Sequence, residues 1–430
     1  MTTGQVVEKV VSKQVLVPFV LVTLLFSLWG FANDITNPMV SAFSRILQMS
    51  TFEGSLVQLA FYGGYFAMAF PAALFIKRYS YKAGILVGLG LYAFGALLFI
   101  PGSMMMKFWP FLVAYFILTC GLSFLETSAN PYILSMGSAE TATRRLNLAQ
   151  AFNPMGSLLG MFVAQQFILE RLNPASSAER GALDAADLMA MTASDLGIIR
   201  TPYVAIAFVL MVVFAAIALT KMPHTPSVSK AGDLGSTLKR LMANANYKGG
   251  VIAQAFYVGA QIMCWTFIIH YAEKELGMDA ATAQGYNIAA MVIFVSSRFI
   301  CTFLLRYLSP GRLLMSLALA GAFLMIVLIG KGGMTGLYAL VGASACMSLM
   351  FPTIYGVALD GMGEDAKIAS AGLIMAILGG SLMPPMQGAM IDLETVGNAI
   401  PAVRLSFVLP LICFIVVARY GWKTMERARA

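Results

Sequence analysis

The chain has 430 residues, of which 59% are hydrophobic and only 11% charged, and its formal net charge is +8. No soluble domain of this length tolerates so apolar a composition on its surface, so the sequence indicates a polytopic membrane protein. Because its basic residues are spread over loops between apolar runs, we expect no nucleic-acid partner. The five cysteines lie within apolar runs without metal-ligand spacing, so we expect no disulfide, no zinc site and no cofactor.

Apolar runs long enough to cross a bilayer recur along the chain. One crossing takes about 20 residues of helix. The twelve predicted spans cover residues 15–43, 54–76, 81–100, 108–136, 145–168, 201–220, 249–272, 280–305, 312–330, 334–359, 368–391 and 399–420. We therefore predict an all-α membrane protein in which the lipid bilayer is the surrounding partner.

The distribution of basic residues predicts which side of the membrane each loop faces. Cytoplasmic loops of membrane proteins carry an excess of Lys and Arg. With the N-terminus inside, the cytoplasmic side receives Lys9, Lys13, Lys77, Arg78, Lys82, Arg144, Arg145, Lys221, Lys230, Lys239, Arg240, Lys248, Arg306, Arg312, Lys367, Arg419, Lys423, Arg427 and Arg429. The opposite loops receive fewer: Arg45, Lys107, Arg171, Arg180, Arg200, Lys274 and Lys331. Both termini are therefore predicted to be cytoplasmic.

A polar stretch divides the predicted spans into two equal groups. We predict an N-terminal six-helix bundle over 1–221, a cytoplasmic linker over 222–248 and a C-terminal six-helix bundle over 249–430. Membrane transporters with two such halves bind their substrate between them, near the middle of the bilayer. The long loop over 169–200 lies outside and is predicted to be a solvated cap without chemistry.

Polar residues interrupt the first span within the sequence WGFANDITNPMV. Asn33, Asp34 and Asn37 lie at spacings of three and four, which place them on neighbouring helix faces, and Pro38 breaks the helical hydrogen-bond ladder. Amides beside a carboxylate suit sugar hydroxyls, which need donors and acceptors together. The alternative for the Asn residues is hydrogen bonding between helices.

One carboxylate, Glu126, lies deep within the fourth span. No Lys or Arg occurs between Lys107 and Arg144, so Glu126 has no cation beside it in sequence. A carboxylate at membrane depth is costly unless it is protonated, paired or facing water, and such residues commonly mark a proton or substrate path. The alternative is a protonated, structural Glu126 that bridges two helices.

Further amides surround this position in the sequence. Asn130 follows Glu126 by one helical turn, and Gln150 and Asn153 share a face at the start of the fifth span. They are predicted to line the cavity, with structural hydrogen bonding between helices as the alternative.

The seventh span carries a stripe of aromatic and amide side chains. Gln254, Tyr257, Gln261 and Trp265 follow one another at steps of three, four and four, so they share one helical face. An aromatic ring beside amides is suited to the apolar face and the hydroxyls of a sugar. Arg298, the mid-span charge of the second half, is predicted to pair with a carbonyl or a carboxylate as a structural element.

The sequence contains no motif that would support an enzyme. There is no phosphate-binding loop, no metal-ligand cluster and no pair of nucleophile and base, so neither catalysis nor a nucleotide-driven pump is indicated. A secondary transporter remains, with a membrane sugar sensor and a drug/proton antiporter as rival classes.

Five motifs, in this order, resemble the L-fucose/proton symporter family of the major facilitator superfamily: SYKAGI, GLSFLETSANPY, RRLNLAQAFNPMG, AQAFYVGAQIMCW and MSLMFPTI. The resemblance implies a twelve-helix protein of the bacterial inner membrane that imports a monosaccharide by alternating access, driven by an ion gradient. It places Glu126 at the family's span-four carboxylate, which is linked to sugar recognition, and Gln150 and Asn153 at cavity-lining amides. We expect a monomer.

The first span departs from the family pattern. Fucose-type members have Asn, two residues and then Asp, whereas this chain has Asp34, two residues and then Asn37. One helical turn separates the two places, so the carboxylate can enter the same cavity at a different height. Asp34 and Glu126 are the predicted ion-coupling residues. The ion is predicted to be a proton, with sodium held at Asp34 as the alternative, because hard cations prefer oxygen ligands. The sugar itself stays open among fucose-like hexoses, glucose or galactose, and N-acetylamino sugars.

Overall fold

A computed structural model of the chain describes residues 11, 15–137, 145, 148–150, 152–222, 234–304, 307–360, 362, 365–393, 395–396 and 400–427. Almost all of these residues are helical, as the sequence predicts. Between the helices lie turns and loops, and the described ranges also contain a short antiparallel strand pair, Thr395–Val396 with Ile400–Pro401.

The N-terminal half, residues 15–222, consists of nine helices in the part that is described. They are α1 (Leu16–Thr36), α2 (Met39–Ile46), α3 (Thr51–Arg78), α4 (Tyr81–Leu97), α5 (Phe99–Met105), α6 (Trp109–Ser135), α7 (Phe152–Val163), α8 (Ser177–Gly181) and α9 (Ala185–Leu219). A π-helical stretch, Ala164–Leu169, continues α7.

The C-terminal half, residues 234–427, consists of ten helices in its described part. They are α10 (Leu234–Ala243), α11 (Ala245–Leu276), α12 (Ala280–Leu304), α13 (Pro310–Lys331), α14 (Gly333–Met347), α15 (Met350–Leu359), α16 (Ala366–Met375), α17 (Gly379–Ile391), α18 (Ala402–Leu405) and α19 (Val408–Arg427). Ala376–Leu378 forms a 3₁₀ turn between α16 and α17.

Ten segments in the described ranges are helical, long and apolar enough to cross a membrane. The predicted fifth and eighth spans contain α7 and α12, which fall outside these ten. α7 is short, and α12 carries polar residues such as Gln284, Asn287 and Arg298 within its length. The helix ends lie on two faces, which we call the near face, at the start of α1 and the end of α19, and the far face, opposite to it.

The structure corrects the prediction for residues 169–200. α9 begins at Ala185, well before the predicted start at 201, and Asp184 caps it by accepting hydrogen bonds from the N–H groups of Ala186 and Asp187. The segment therefore contains ordered helix rather than a solvated loop alone. The predicted start of the seventh span at 249 is also late, because α11 begins at Ala245.

Close helix packing brings α1 against α7. A Cβ atom at Gly30 would clash with the carbonyl oxygen of Asn153, and one at Gly156 would clash with the carbonyl oxygen of Ser27. Small residues of this kind let membrane helices approach closely. The contact places the Asn153 amide of α7 beside the middle of α1.

Candidate functional site

A break in the first span places two polar side chains in contact. α1 ends at Thr36 and α2 begins at Met39, since Pro38 lacks the N–H group that a continuous helix needs. Asp34 and Asn37 lie at this break and are only 4% and 2% exposed. Asn37 Nδ2 donates a hydrogen bond of 3.1 Å to Asp34 Oδ1. The predicted placement of Asp34 and Asn37 on neighbouring faces is thus confirmed.

A chain of hydrogen bonds continues from Asn37 into the C-terminal half. Gln58 Nε2, on α3, donates to Asn37 Oδ1 at 3.2 Å and to Thr266 Oγ1, on α11, at 2.9 Å. Thr266 Oγ1 also lies 3.5 Å from Asn37 Oδ1. Sequence reasoning missed both Gln58 and Thr266. Gln58 could have been identified from the sequence, because it is an amide inside the apolar run of the second span.

Two more side chains approach Asp34 from other helices. The Ser157 hydroxyl, on α7, and the Tyr62 side chain, on α3, both lie near the carboxylate. The adjacent Asn33 is half-buried, and its Oδ1 atom has no hydrogen-bond partner among the described residues. Asp34 therefore sits among neutral polar groups from three helices.

Glu126 lies half-buried on α6, with one oxygen free. Its Oε2 atom is buried and has no hydrogen-bond partner in the described part of the chain, and the same holds for the Tyr65 hydroxyl. Tyr65, on α3, lies near Glu126. Buried polar atoms in folded proteins are normally hydrogen-bonded, so such orphan atoms call for a ligand or a water molecule.

The predicted amides form a connected path beside Glu126. Asn130 Nδ2 donates to the backbone oxygen of Glu126 at 3.1 Å, and Gln150 Nε2 donates to Asn130 Oδ1 at 3.0 Å. Gln150 is exposed, whereas Asn153 is half-buried and donates to the Phe26 carbonyl of α1 at 3.2 Å. The structure thus brings residues of the first, fourth and fifth spans together, with the exposed end of the path at Gln150.

The stripe on the seventh span divides into two kinds of residue. Tyr257 and Trp265 are buried, and their polar atoms bind α14: the Tyr257 hydroxyl donates to Met347 O at 3.1 Å and Trp265 Nε1 donates to Ser344 Oγ at 3.0 Å. Gln254 is fully buried, yet neither of its side-chain amide atoms has a partner among the described residues.

Gln261 is half-buried. The two amides of this stripe are therefore better placed than its aromatic residues to present free polar groups.

The Arg298 guanidinium, on α12, donates to the Ser348 carbonyl at 3.1 Å and lies over the Phe294 ring, which confirms the predicted pairing with a carbonyl.

Comparison with known proteins assigns the family. The model of the Major Facilitator Superfamily matches residues 22–384. The chain belongs to this superfamily. It is 54% identical over 428 residues to the L-fucose-proton symporter of Haemophilus influenzae, with 97% of this chain and 99% of that protein covered. It is 30% identical to the glucose/galactose transporter of Brucella abortus biovar 1, covering 93% and 92% of the two chains.

A solved structure of the superfamily agrees with the fold. The crystal structure of FucP in the outward conformation is 35% identical, with a TM-score of 0.72 and coverage of 96% of this chain and 99% of FucP. These relatives are transporters, so this major facilitator is a transporter-family protein and not an enzyme.

Polar contacts close the far face of this major facilitator. Asp392 accepts hydrogen bonds from the N–H groups at the start of α3, and Ser41 Oγ donates to Glu273 Oε2 at 2.8 Å. Gln165 Nε2 donates to the Ala281 carbonyl at 3.0 Å. Each bond joins the N-terminal to the C-terminal half. Since alternating access moves one half against the other around a fixed site, these contacts belong to a state closed at the far face.

Proposed function

We propose that the chain imports L-fucose, or a closely related monosaccharide, together with a proton by alternating access. The observation that carries this proposal is the 54% identity to an L-fucose-proton symporter along almost the full length of both chains. Two carboxylates lie within the helices, Asp34 and Glu126, and such groups can couple the movement of an ion to that of a sugar.

The free polar atoms of the site support a hydroxyl-rich ligand. Glu126 Oε2, Asn33 Oδ1 and both amide atoms of Gln254 are buried without partners among the described residues. Carboxylate oxygens accept hydrogen bonds, whereas amides both donate and accept, so together they match sugar hydroxyls. A hydrophobic drug would leave these groups unpaired, which argues against a drug/proton antiporter.

Proton coupling fits the surroundings of Asp34 better than sodium coupling. Its neighbours are Asn37, Ser157 and Tyr62, which are neutral groups. Occluding an unpaired carboxylate in an apolar site costs the least free energy after the carboxylate has taken up a proton. Two relatives, from Haemophilus influenzae and Escherichia coli, are also proton symporters by name.

We also infer how the chain is arranged in the membrane. Twelve spans form two six-helix bundles, 1–221 and 249–430, joined by a linker over 222–248, of which 223–233 lie outside the described residues. Both termini and the near face are cytoplasmic, and the protein works as a monomer in the bacterial inner membrane. In this arrangement the state described here opens its site toward the cytoplasm.

Uptake into proteoliposomes that contain a pH-sensitive dye tests the function. We expect L-fucose to acidify the interior, equally with sodium or choline outside, and unlabelled L-fucose to compete better than glucose or galactose. Uptake that needs sodium and brings no acidification would overturn proton coupling. Binding without any uptake would instead identify a membrane sugar sensor.

A further inference from the structure

An apolar groove lies on the side of the N-terminal half, between α9 and α7 with its π-helical continuation. Its volume is about 450 Å³, and the buried Phe31 of α1 lies behind it. Phe167 and Val209 line the groove and are exposed, so it opens away from the protein core. Its remaining lining residues are apolar except for Arg171 and Thr201. We call it the α7–α9 groove.

The α7–α9 groove covers the half of the bilayer that adjoins the far face. α9 ends at Leu219, and Ile198 lies about 32 Å from that end, at about 1.5 Å per residue. This length matches the hydrocarbon thickness of about 30 Å, so Ile198 lies at its far boundary. Val209, the innermost lining residue of α9, lies about 16 Å from Ile198, near the bilayer centre. The groove therefore has the length of an acyl chain in one leaflet.

One cation lies at the far end of this groove. Arg171 follows the π-helical stretch Ala164–Leu169, and its guanidinium lies 5.1 Å from the centroid of the Phe167 ring. Such stacking holds the guanidinium beside the groove. No acid in the described part of the chain forms an ion pair with Arg171, and the neighbouring Glu170 accepts a hydrogen bond from Gln166 Nε2 at 2.6 Å. The charge of Arg171 is therefore available to a ligand at the depth of the lipid head groups.

We propose that the α7–α9 groove binds one phospholipid of the leaflet at the far face, with its phosphate against Arg171 and one acyl chain along α9 toward Val209. Arg guanidinium groups form strong charge-assisted hydrogen bonds with phosphate oxygens. Basic pockets between membrane helices bind anionic head groups, so a phosphatidylglycerol is the expected kind of lipid. This site lies on the lipid side of the helices, and it does not depend on which sugar or ion the protein carries.

Two properties of the groove together select a phospholipid. A free phosphate compound would contact Arg171 but would leave the apolar walls uncovered. An apolar molecule without a phosphate would cover the walls but would leave Arg171 without a counter-charge where the hydrocarbon begins. A phospholipid satisfies both, because its charge and its chain are separated in the same way as Arg171 and the apolar lining of the groove.

Native mass spectrometry of the delipidated full chain, titrated with phosphatidylglycerol, counts the bound lipids. We expect the first lipid to bind about tenfold more tightly than the next ones. Arg171→Gln removes the charge, and Ala205→Phe fills the groove from an exposed position on α9. Each should weaken the first binding step about tenfold, the scale of one hydrogen bond to a charged group. Lys331→Gln and Ala320→Phe, at exposed positions of α13, are the matched controls and should change nothing.

Two competitors and a cross-link identify the bound molecule and its place. Neither glycerol phosphate nor diacylglycerol should displace the first lipid at equal concentration. A phosphatidylglycerol with a photoreactive group in its acyl chain should label α7 and α9, and Ala205→Phe should abolish this labelling. Displacement by glycerol phosphate would overturn the acyl-chain contact, and displacement by diacylglycerol would overturn the phosphate contact. Equal lipid affinity in Arg171→Gln and Lys331→Gln, or labelling spread evenly over the helices, would overturn the site itself.

Discussion

The Asp392 carboxylate, at the end of α17, accepts a hydrogen bond of 2.8 Å from the backbone N–H of Thr51, the first residue of α3. Its second oxygen accepts from the N–H of Phe52 at 2.6 Å. The first N–H groups of a helix lack partners within the helix and carry the positive end of its dipole. One side chain of the C-terminal half therefore caps a helix of the N-terminal half and holds the far face closed.

We expect Asp392→Asn to weaken far-face closure by about 1–2 kcal/mol, because the amide loses the charge and one of the two acceptor atoms. Spin-label distances between Lys107 and Lys274 measure the shift toward the open state. Asp360→Asn is the matched control, since Asp360 is exposed at the end of α15. Equal distances in both variants would contradict the capping role.

The segment 169–200, at the far face, contains a buried ion pair that should dominate its stability. Arg180 Nη2 and Asp195 Oδ2 are 2.5 Å apart, and their side chains are 0% and 2% exposed. Asp195→Ala leaves a buried Arg180 without its counter-charge, which costs about 3–5 kcal/mol. Thermal unfolding and hydrogen exchange over 173–195 measure the loss. Asp187→Ala, an exposed acid on the same helix, should change stability by less than about 0.5 kcal/mol.

Local sequence patterns predicted the helix break and the contact between Asp34 and Asn37, because both depend on residues within one helical turn. They could not predict the pairing of Asn37 with Thr266, since that contact depends on how the two halves of the chain meet. The early start of α9 was missed for a related reason. Its charged residues suggested a solvated loop, yet Asp195 is neutralised by Arg180, which lies outside the helix.

The seventh span shows the same limit in its side chains. A stripe predicts which residues share a helical face, but not which of their polar atoms already have hydrogen-bond partners within the protein. From the sequence, Tyr257, Trp265 and Gln254 were therefore equally good candidates for binding a sugar. In the structure the Tyr257 hydroxyl and the indole N–H of Trp265 are used within the C-terminal half. Their role in sugar binding stays a prediction, and the ring of Trp265 packs edge-on against Phe294.

Gln254 offers a test that separates binding from folding. Its buried amide has no partner among the described residues, and burying such a group costs about 1–3 kcal/mol. Gln254→Leu should therefore raise thermal stability without ligand while lowering sugar affinity about tenfold, the scale of one or two lost hydrogen bonds. Thermal shift and equilibrium binding are measured on the same sample. Loss of both stability and affinity would mean that Gln254 has a structural partner instead.

The near face contains a pH-sensitive contact. Arg240 of α10 donates two hydrogen bonds, of 2.9 and 2.7 Å, to the Asp365 carboxylate before α16, and they lower the pKa of that group below its usual value. A lowered pKa in the folded state means that the contact contributes above the unfolded pKa and is lost as the pH falls through the folded value.

Hydrogen exchange should therefore show α10 protected at neutral pH and released at a pH below about 4, the ordinary range of Asp. Asp365→Asn should release α10 at both pH values, whereas Asp360→Asn should behave as the unaltered chain. Protection of α10 that persists in Asp365→Asn would show that apolar packing alone holds this helix.

Glu126 is the residue on which the coupling hypothesis depends most. Its Oε2 atom is buried without a described partner, and the amide path from Asn130 leads to the exposed Gln150. Glu126→Gln keeps the shape and the hydrogen-bonding capacity of the side chain but cannot exchange a proton. We therefore expect a folded protein with an unchanged melting temperature that no longer accumulates sugar against a gradient.

Accumulation is measured in proteoliposomes under an imposed pH gradient, alongside exchange of internal for external sugar without a gradient. Exchange requires only the loaded carrier to change conformation, so its survival in Glu126→Gln would place the defect in proton coupling. Loss of both would place Glu126 in sugar binding. Glu170→Gln is the control, because Glu170 is exposed at the far face. Normal concentrative uptake by Glu126→Gln would remove Glu126 from the coupling mechanism altogether.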